Sequence, residues 1–257
     1  VWRDPLNGTA GELPEACIVT LTYAPEHLPV SGLLVHDDFS AFMKRLRQRR
    51  VRRYRRKKLG PTPKVATFMC GEYGGKTLRP HFHAVLLGET FDDRYPLQLS
   101  DGQRHQGSHQ LDELWPWGLS TVDEFSFAGA GYVAGYVAKK RGDPVEKLDP
   151  ATGEVVPEYR TMSRGLGRSW ILGEDRGGVP RFPEVYGQDC VTVGEWKFRP
   201  PRYYDRLLLR HDEALFVDVK QRRLERALQG FEDWSEPEAR SAEKVAHASL
   251  SRRSDSL

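Results

Sequence analysis

The chain reads as an α+β protein: an antiparallel sheet with helices on one face, followed by an irregular and helical C-terminal extension. Three observations predict this class. Short β-rich runs recur at 17–23, 64–70, 81–87 and 119–125. A helical stripe of Phe39, Phe42, Met43 and Leu46 falls between the first two. Beyond residue 143 the chain turns rich in Gly and Pro, before a helical pattern returns at Tyr203.

Cys17–Tyr23 alternates in part and is read as the first strand. The Ala24–Pro29 stretch is a loop, and His36-Asp37-Asp38 offers an N-cap and an acidic first turn for a helix. That helix carries the apolar stripe and runs on through a basic segment until Gly60-Pro61-Thr62-Pro63 stops it. Lys64–Cys70 is the second strand, 71–80 a connection with turn glycines, and His81–Leu87 the third strand, antiparallel to the second. Residues 88–113 are polar and read as loop, Leu119–Phe125 is the fourth strand, and a helix starts near Ala128 or Gly131. The order β-α-β-β-loop-β-α fits a split βαβ, ferredoxin-like sheet. The expected boundary separates a core of 1–142 from an extension of 143–257, packed on the core or independent of it. Residues 143–202 are expected to be mostly irregular, Tyr203 to about Leu228 helical, and the polar end from Ser235 to fray.

Composition narrows the function. No run of eighteen apolar residues exists, so no spanning helix is expected. The chain opens without a signal-peptide pattern, and at Val1 rather than Met, so further residues are expected before it. Three scattered cysteines, Cys17, Cys70 and Cys190, argue against a disulfide scaffold and for a reducing compartment. The net charge is only +3, but residues 44–58 hold eleven Lys/Arg and no acid. Without those eleven, 28 basic residues face 36 acidic ones. A positive field focused on one segment is what a phosphate-binding surface requires. Arg45, Arg49, Arg52 and Arg53 are the expected phosphate contacts, with binding that weakens steeply in salt.

Two patterns carry chemistry. His81 and His83 stand at strand spacing, so both imidazoles face one side while Phe82 faces the other. Glu72 closes the preceding strand, and a hairpin would bring its carboxylate to the histidines. Such a His/His/Glu set with open positions suits Mn²⁺ or Mg²⁺ and could also accept Zn²⁺. His27, His36, His105, His109, His211 and His247 show no comparable arrangement. Downstream, Tyr132 and Tyr136 are four apart, which sets two phenols on one helix face. Gly131 and Gly135 beside them are poor helix formers, better explained by close approach of a backbone or a substrate. A phenol needs nearby charge stabilisation to act as a nucleophile at neutral pH, and Lys139 lies three residues after Tyr136.

Together these residues resemble the HUH endonuclease superfamily of rolling-circle replication initiators, and within it the initiators of microviruses of the gokushovirus type. The matching segments include ThrLeuThrTyr (20–23), CysGlyGluTyrGly (70–74), ArgProHisPheHisAlaValLeuLeuGly (79–88), AlaGlyTyrValAlaGlyTyrValAlaLysLys (130–140) and MetSerArgGlyLeuGlyArgSerTrp (162–170). With gaps the likeness runs from about residue 17 to 210. It implies a divalent metal, Mn or Mg, at Glu72, His81 and His83, and nucleophiles at Tyr132 and Tyr136. It also implies origin-specific nicking of DNA, closure of the displaced circle, and residence in the cytoplasm of a bacterial host. The expected partner is single-stranded DNA at a replication origin, with no membrane and no small-molecule cofactor. No GxxxxGK[ST] loop is present, which leaves strand separation to a host helicase. One position departs from the pattern: two-tyrosine relatives often carry a cation where Gly135 stands, so Tyr136 is expected to be the stronger first nucleophile. Arg164 and Arg168 lie in a segment that is either a surface loop or a DNA contact. A relaxase or transposase of the same superfamily, and a non-catalytic nucleic-acid-binding module, are the alternatives.

Overall fold

The structure is a computed structural model that describes residues 2–3, 10–11, 15–29, 31–75, 77–99, 104–126, 129–131, 133 and 145–232. The chain divides into two compact units, Val1–Leu166 and Gly167–Leu257.

The first unit is built on a five-stranded antiparallel sheet. Its strands are β1 (Ala16–Tyr23), β2 (Ala66–Tyr73), β3 (Pro80–Leu87), β6 (Gly118–Glu124) and β9 (Tyr159–Met162). The order across the sheet is β9-β2-β3-β1-β6. The four strands expected from the sequence thus form the split βαβ arrangement, with β3 between β1 and β2. Alternation decides what each face carries. Cys17, Val19, Leu21 and Tyr23 of β1, Met69 and Tyr73 of β2, and Phe82, Ala84 and Leu86 of β3 enter the main core. Helix α1 (His36–Lys57) covers that face with Phe39, Phe42, Met43 and Leu46. Trp115 is fully buried against Tyr23 and Phe82, with ring centroids 5.1 and 5.7 Å away.

The α1 termini differ from expectation in detail. Val35 stands at the N-cap and caps with no side chain, while Asp37 and Asp38 occupy the first turn. Asp38 instead accepts the Tyr23 hydroxyl at 2.6 Å. The helix ends before the Gly-Pro stretch, at Lys58 in the left-handed region.

Residues 88–113 are not a plain loop. They form a hairpin of β4 (Arg94–Gln98) and β5 (Arg104–Ser108), then helix α2 (His109–Leu114). Ser108 caps α2 by accepting from Leu111 N, and Leu111 and Leu114 join the main core beside α1. These elements are short and polar on most positions, so neither period stands out in the sequence.

The boundary expected at 142 lies instead after Leu166. Residues 145–163 add a hairpin, β7 (Glu146–Leu148) with β8 (Val155–Pro157), and the edge strand β9, which pairs with β2. The pairing needs Gly71: a Cβ there would stand 3.0 Å from the Tyr159 ring and 3.2 Å from Phe82. Ser163 fastens the end of β9 by donating its N–H to Thr67 O and accepting from Thr67 N.

The second unit is also more regular than expected. It holds α3 (Arg168–Ile171), α4 (Phe182–Gly187), a hairpin of β10 (Val191–Val193) and β11 (Trp196–Phe198), then α5 (Arg202–His211) and α6 (Glu213–Glu232). The helical pattern read as continuous from Tyr203 breaks at Asp212, whose carboxylate accepts from Leu215 N and starts α6. Ile171, Phe182, Val185, Tyr186, Tyr204, Leu207, Leu208 and Val219 form this unit's core.

Candidate metal centre

The sheet face opposite α1 carries the site. Register sets Glu72 beside His81 on the β2–β3 pair, and Thr20 beside His83 on the β1–β3 pair. Glu72 Oε1 lies 2.8 Å from His81 Nε2 and 2.9 Å from His83 Nε2. The carboxylate is buried and the two rings are nearly so. Burial alone pushes the Glu72 carboxyl up, but His81 and His83 outweigh it and hold it down at about 2. The group is therefore an anion at neutral pH.

The far nitrogens orient both rings. His81 Nδ1 stands 3.0 Å from Arg79 O, and His83 Nδ1 2.8 Å from Thr20 Oγ1. A carbonyl can only accept, so His81 Nδ1 carries the proton and Nε2 of the neutral ring keeps its lone pair. That lone pair faces a carboxylate oxygen, an arrangement a cation reconciles. Cis donors around a small octahedral ion with bonds of about 2.1 Å stand about 3 Å apart, and both nitrogen–oxygen spacings match. Glu72, His81 and His83 thus fit a divalent metal.

The same face receives a second element. Residues 129–131 and 133 are helical, as the sequence predicts for that start. Val133 is fully buried with Ile18, Cys70 and Val85, one from each of three neighbouring strands. Ser126 Oγ accepts from Gly129 N, and a Cβ on Gly129 would meet Ile18 Cδ1 at 2.5 Å, so glycine lets the helix start press onto the sheet. Beside His83 a groove of about 620 Å³ crosses Thr20, Thr22 and Thr121 and reaches Arg104. Tyr132, Tyr136 and Lys139, the expected nucleophiles and their cation, lie outside the described residues.

Comparison with known proteins agrees with this geometry. Residues 16–141 match the family described as replication-associated protein ORF2. The chain is 29% identical over 216 residues to the replication-associated protein ORF2 of Spiroplasma virus 4, covering 80% of this chain and 62% of that one. It is 36% identical over 189 residues to the replication-associated protein VP4 of Bdellovibrio phage phiMH2K, covering 72% and 55%. It is 28% identical over 199 residues to the replication-associated protein ORF4 of Chlamydia phage 1, covering 76% and 46%. The chain belongs to this replication-associated family. It spans about half the length of these relatives, between 46% and 62%. No solved structure matches it.

In this member of the replication-associated family the basic helix has two faces. Arg45 donates to Leu114 O at 2.9 Å and lies 4.5 Å over the Trp117 ring. Arg49 donates to Gln110 O at 3.1 Å. Both pin α1 to the segment around α2. Arg50 is buried in an ion pair with Glu89 at 2.6 Å, and Arg53 approaches the same carboxylate at 3.6 Å. Arg52 is exposed, with no ion-pair partner among the described residues, as are Arg164 and Arg168. Sequence reasoning missed Thr20, Arg79 O and Val133. Thr20 had a readable signal, since ThrLeuThr alternates and both threonines face the side away from the core. Among the described residues no helix is long and apolar enough to cross a membrane.

Proposed function

We propose that the chain initiates rolling-circle DNA replication by nicking one strand at a specific site and rejoining ends through a tyrosyl–phosphate link. The observation that carries this reading is the Glu72–His81–His83 cluster on the sheet face to which Val133 anchors a helix start. Tyr132 and Tyr136 are the near sequence neighbours of Val133.

When bound, a Mn²⁺ or Mg²⁺ ion would polarise a non-bridging oxygen of the scissile phosphate. Glu72 supplies the negative charge that retains the cation, and Thr20 and Arg79 O hold the two imidazoles toward it. The Tyr136 phenol attacks phosphorus and loses its proton to solvent. Its Oη–P bond forms as the P–O3′ bond breaks, and the 3′ oxygen takes up a proton. Lys139 steadies the charge on the phosphate. The link conserves the bond energy, so the reverse transfer needs no nucleotide, and Tyr132 provides a second transfer while the first end is held. Arg52, Arg53, Arg164 and Arg168 are the proposed phosphate contacts; Arg45 and Arg49, engaged by main-chain carbonyls, contribute field more than direct bonds. Strand separation falls to a host helicase, in the cytoplasm of a bacterial host.

The test uses a randomised pool of single-stranded oligonucleotides with Mn²⁺, and the same pool with EDTA. A covalent protein–DNA adduct on a denaturing gel, formed with Mn²⁺ only, is the expected result. Binding without any adduct would leave a non-catalytic module. Tyr136→Phe should suppress first-strand nicking more than Tyr132→Phe, and the opposite ranking would reverse the assignment.

A further inference from the structure

In the second unit, α5 and α6 expose facing stripes at helical spacing: Arg202, Arg206 and Leu209 on α5, and Phe216, Lys220 and Arg223 on α6. Between them lies an open groove of about 730 Å³, with Arg199 at its edge. Two of its charged groups are already balanced. Arg223 is held by Asp189 at 2.6 Å and Asp205 at 2.9 Å, and Asp205 also accepts the Tyr186 hydroxyl at 2.8 Å. The other four, Arg199, Arg202, Arg206 and Lys220, are exposed and have no carboxylate partner among the described residues.

This pattern stands out within its own unit. Arg176, Arg181, Arg222, Arg223 and Arg226 each have a carboxylate within 2.9 Å. The fold pairs arginines where they serve stability, yet leaves four cations converging on one concave surface. Their mutual repulsion is relieved by an anionic occupant. The groove is not polar throughout: Leu209 is 42% exposed, and half-buried Phe216 lines the same surface. Cations spaced along an apolar, partly aromatic floor match a single nucleic-acid strand, which offers phosphates on one edge and base faces on the other. A rigid duplex hides those base faces in its stack.

We propose that the groove between α5 and α6 binds single-stranded DNA through its phosphates, with Arg199, Arg202, Arg206 and Lys220 as contacts and Leu209 and Phe216 beneath the bases. The proposal rests on the reading of the chain as a DNA-processing protein. It adds a contact that uses none of the residues of the metal centre, so its loss should weaken strand retention and leave the chemistry intact.

The full chain is tested with a fluorescein-labelled oligo-dT strand, by anisotropy across a series of NaCl concentrations. Removing two phosphate contacts in the Arg202→Ala/Arg206→Ala variant should flatten the plot of log affinity against log salt by about 1.4. Affinity should fall about tenfold at moderate salt, while Arg202→Lys/Arg206→Lys keeps the original slope. Phe216→Leu, a milder change to a half-buried side chain, should weaken oligo-dT binding but leave competition by inorganic polyphosphate unchanged. Unaltered slope and affinity in the double alanine variant, with an unchanged melting profile, would overturn the proposal. An equal loss toward duplex DNA, or toward polyphosphate in Phe216→Leu, would overturn its assignment to a single strand. Adduct formation at saturating DNA separates the two readings. If no adduct forms with any DNA while the groove variants still lose affinity, the catalytic reading fails and the groove stands.

Discussion

Thr20 Oγ1 lies 2.8 Å from Nδ1 of His83, on the opposite side of the ring from Glu72. The hydroxyl holds the imidazole so that Nε2 aims at the carboxylate. Thr20→Val keeps the shape and removes the partner. Metal affinity should fall by about 10- to 100-fold, as for other orienting groups behind a histidine ligand. Titration with Mn²⁺ measures it, and an affinity within twofold of the parent would show that packing alone orients the ring.

Val133 fills the space over Ile18, Cys70 and Val85. Val133→Ala should lower stability by about 2 kcal/mol through the cavity it leaves. It should leave Mn²⁺ affinity unchanged, because no ligand moves. Under the proposed function, adduct formation falls far more than metal binding. Parallel loss of both would mean that Val133 supports the whole sheet face rather than the helix.

Arg50 and Glu89 form a buried ion pair inside the basic segment. Arg50→Ala strands the Glu89 carboxylate and should cost about 3–5 kcal/mol. Arg50→Met with Glu89→Leu removes both charges and should recover most of that loss. Urea denaturation of the three proteins checks the order. Oligonucleotide binding by the double variant should match the parent, since neither group reaches the surface.

In the second unit, burial by itself raises the Asp189 carboxyl, but Arg223 and Arg226 outweigh it and hold it below the ordinary carboxylate range. A depressed carboxyl stabilises the folded form fully above its unfolded value of about 3.9. That contribution is lost as pH falls through the folded value. Asp189→Asn should therefore destabilise the protein at pH 7 by about 3 kcal/mol, and the gap to the parent should close as pH drops below about 3.9. Urea melts at stepped pH values read the gap, and a constant difference down to pH 2 would rule the ion pairs out as its source.

The strands and α1 were legible because each spans enough residues to show its period. The His81–His83 spacing and the reach of Glu72 followed from alternation alone. What stayed hidden was set by contacts distant in the chain. Tyr159 belongs to the sheet because Gly71 leaves room for its ring, and nothing near residue 159 announces that. Arg50 read as part of a charged face, yet it continues the buried stripe of Phe39, Phe42, Met43 and Leu46 at the same spacing. Its partner Glu89 is 39 residues away, so the sequence shows the position and not the pairing. Asp212 was different: it is a good N-cap residue before an apolar pattern, and the break it makes could have been read.

The centre is assembled from pieces that come together at different times. Glu72 and His81 sit nine residues apart across one hairpin, whereas Thr20 and His83 are separated by 63. Closing a short loop takes a fraction of a microsecond, while pairings across long stretches of chain form slowly. The three donors can therefore gather in the β2–β3 hairpin before β1 aligns Thr20 and before β6 is in place. An ion captured at that stage would tie the hairpin register and favour the native pairing over a slipped one. Metal supply would then govern how much active protein a cell obtains from each synthesised chain, in addition to how fast that protein works.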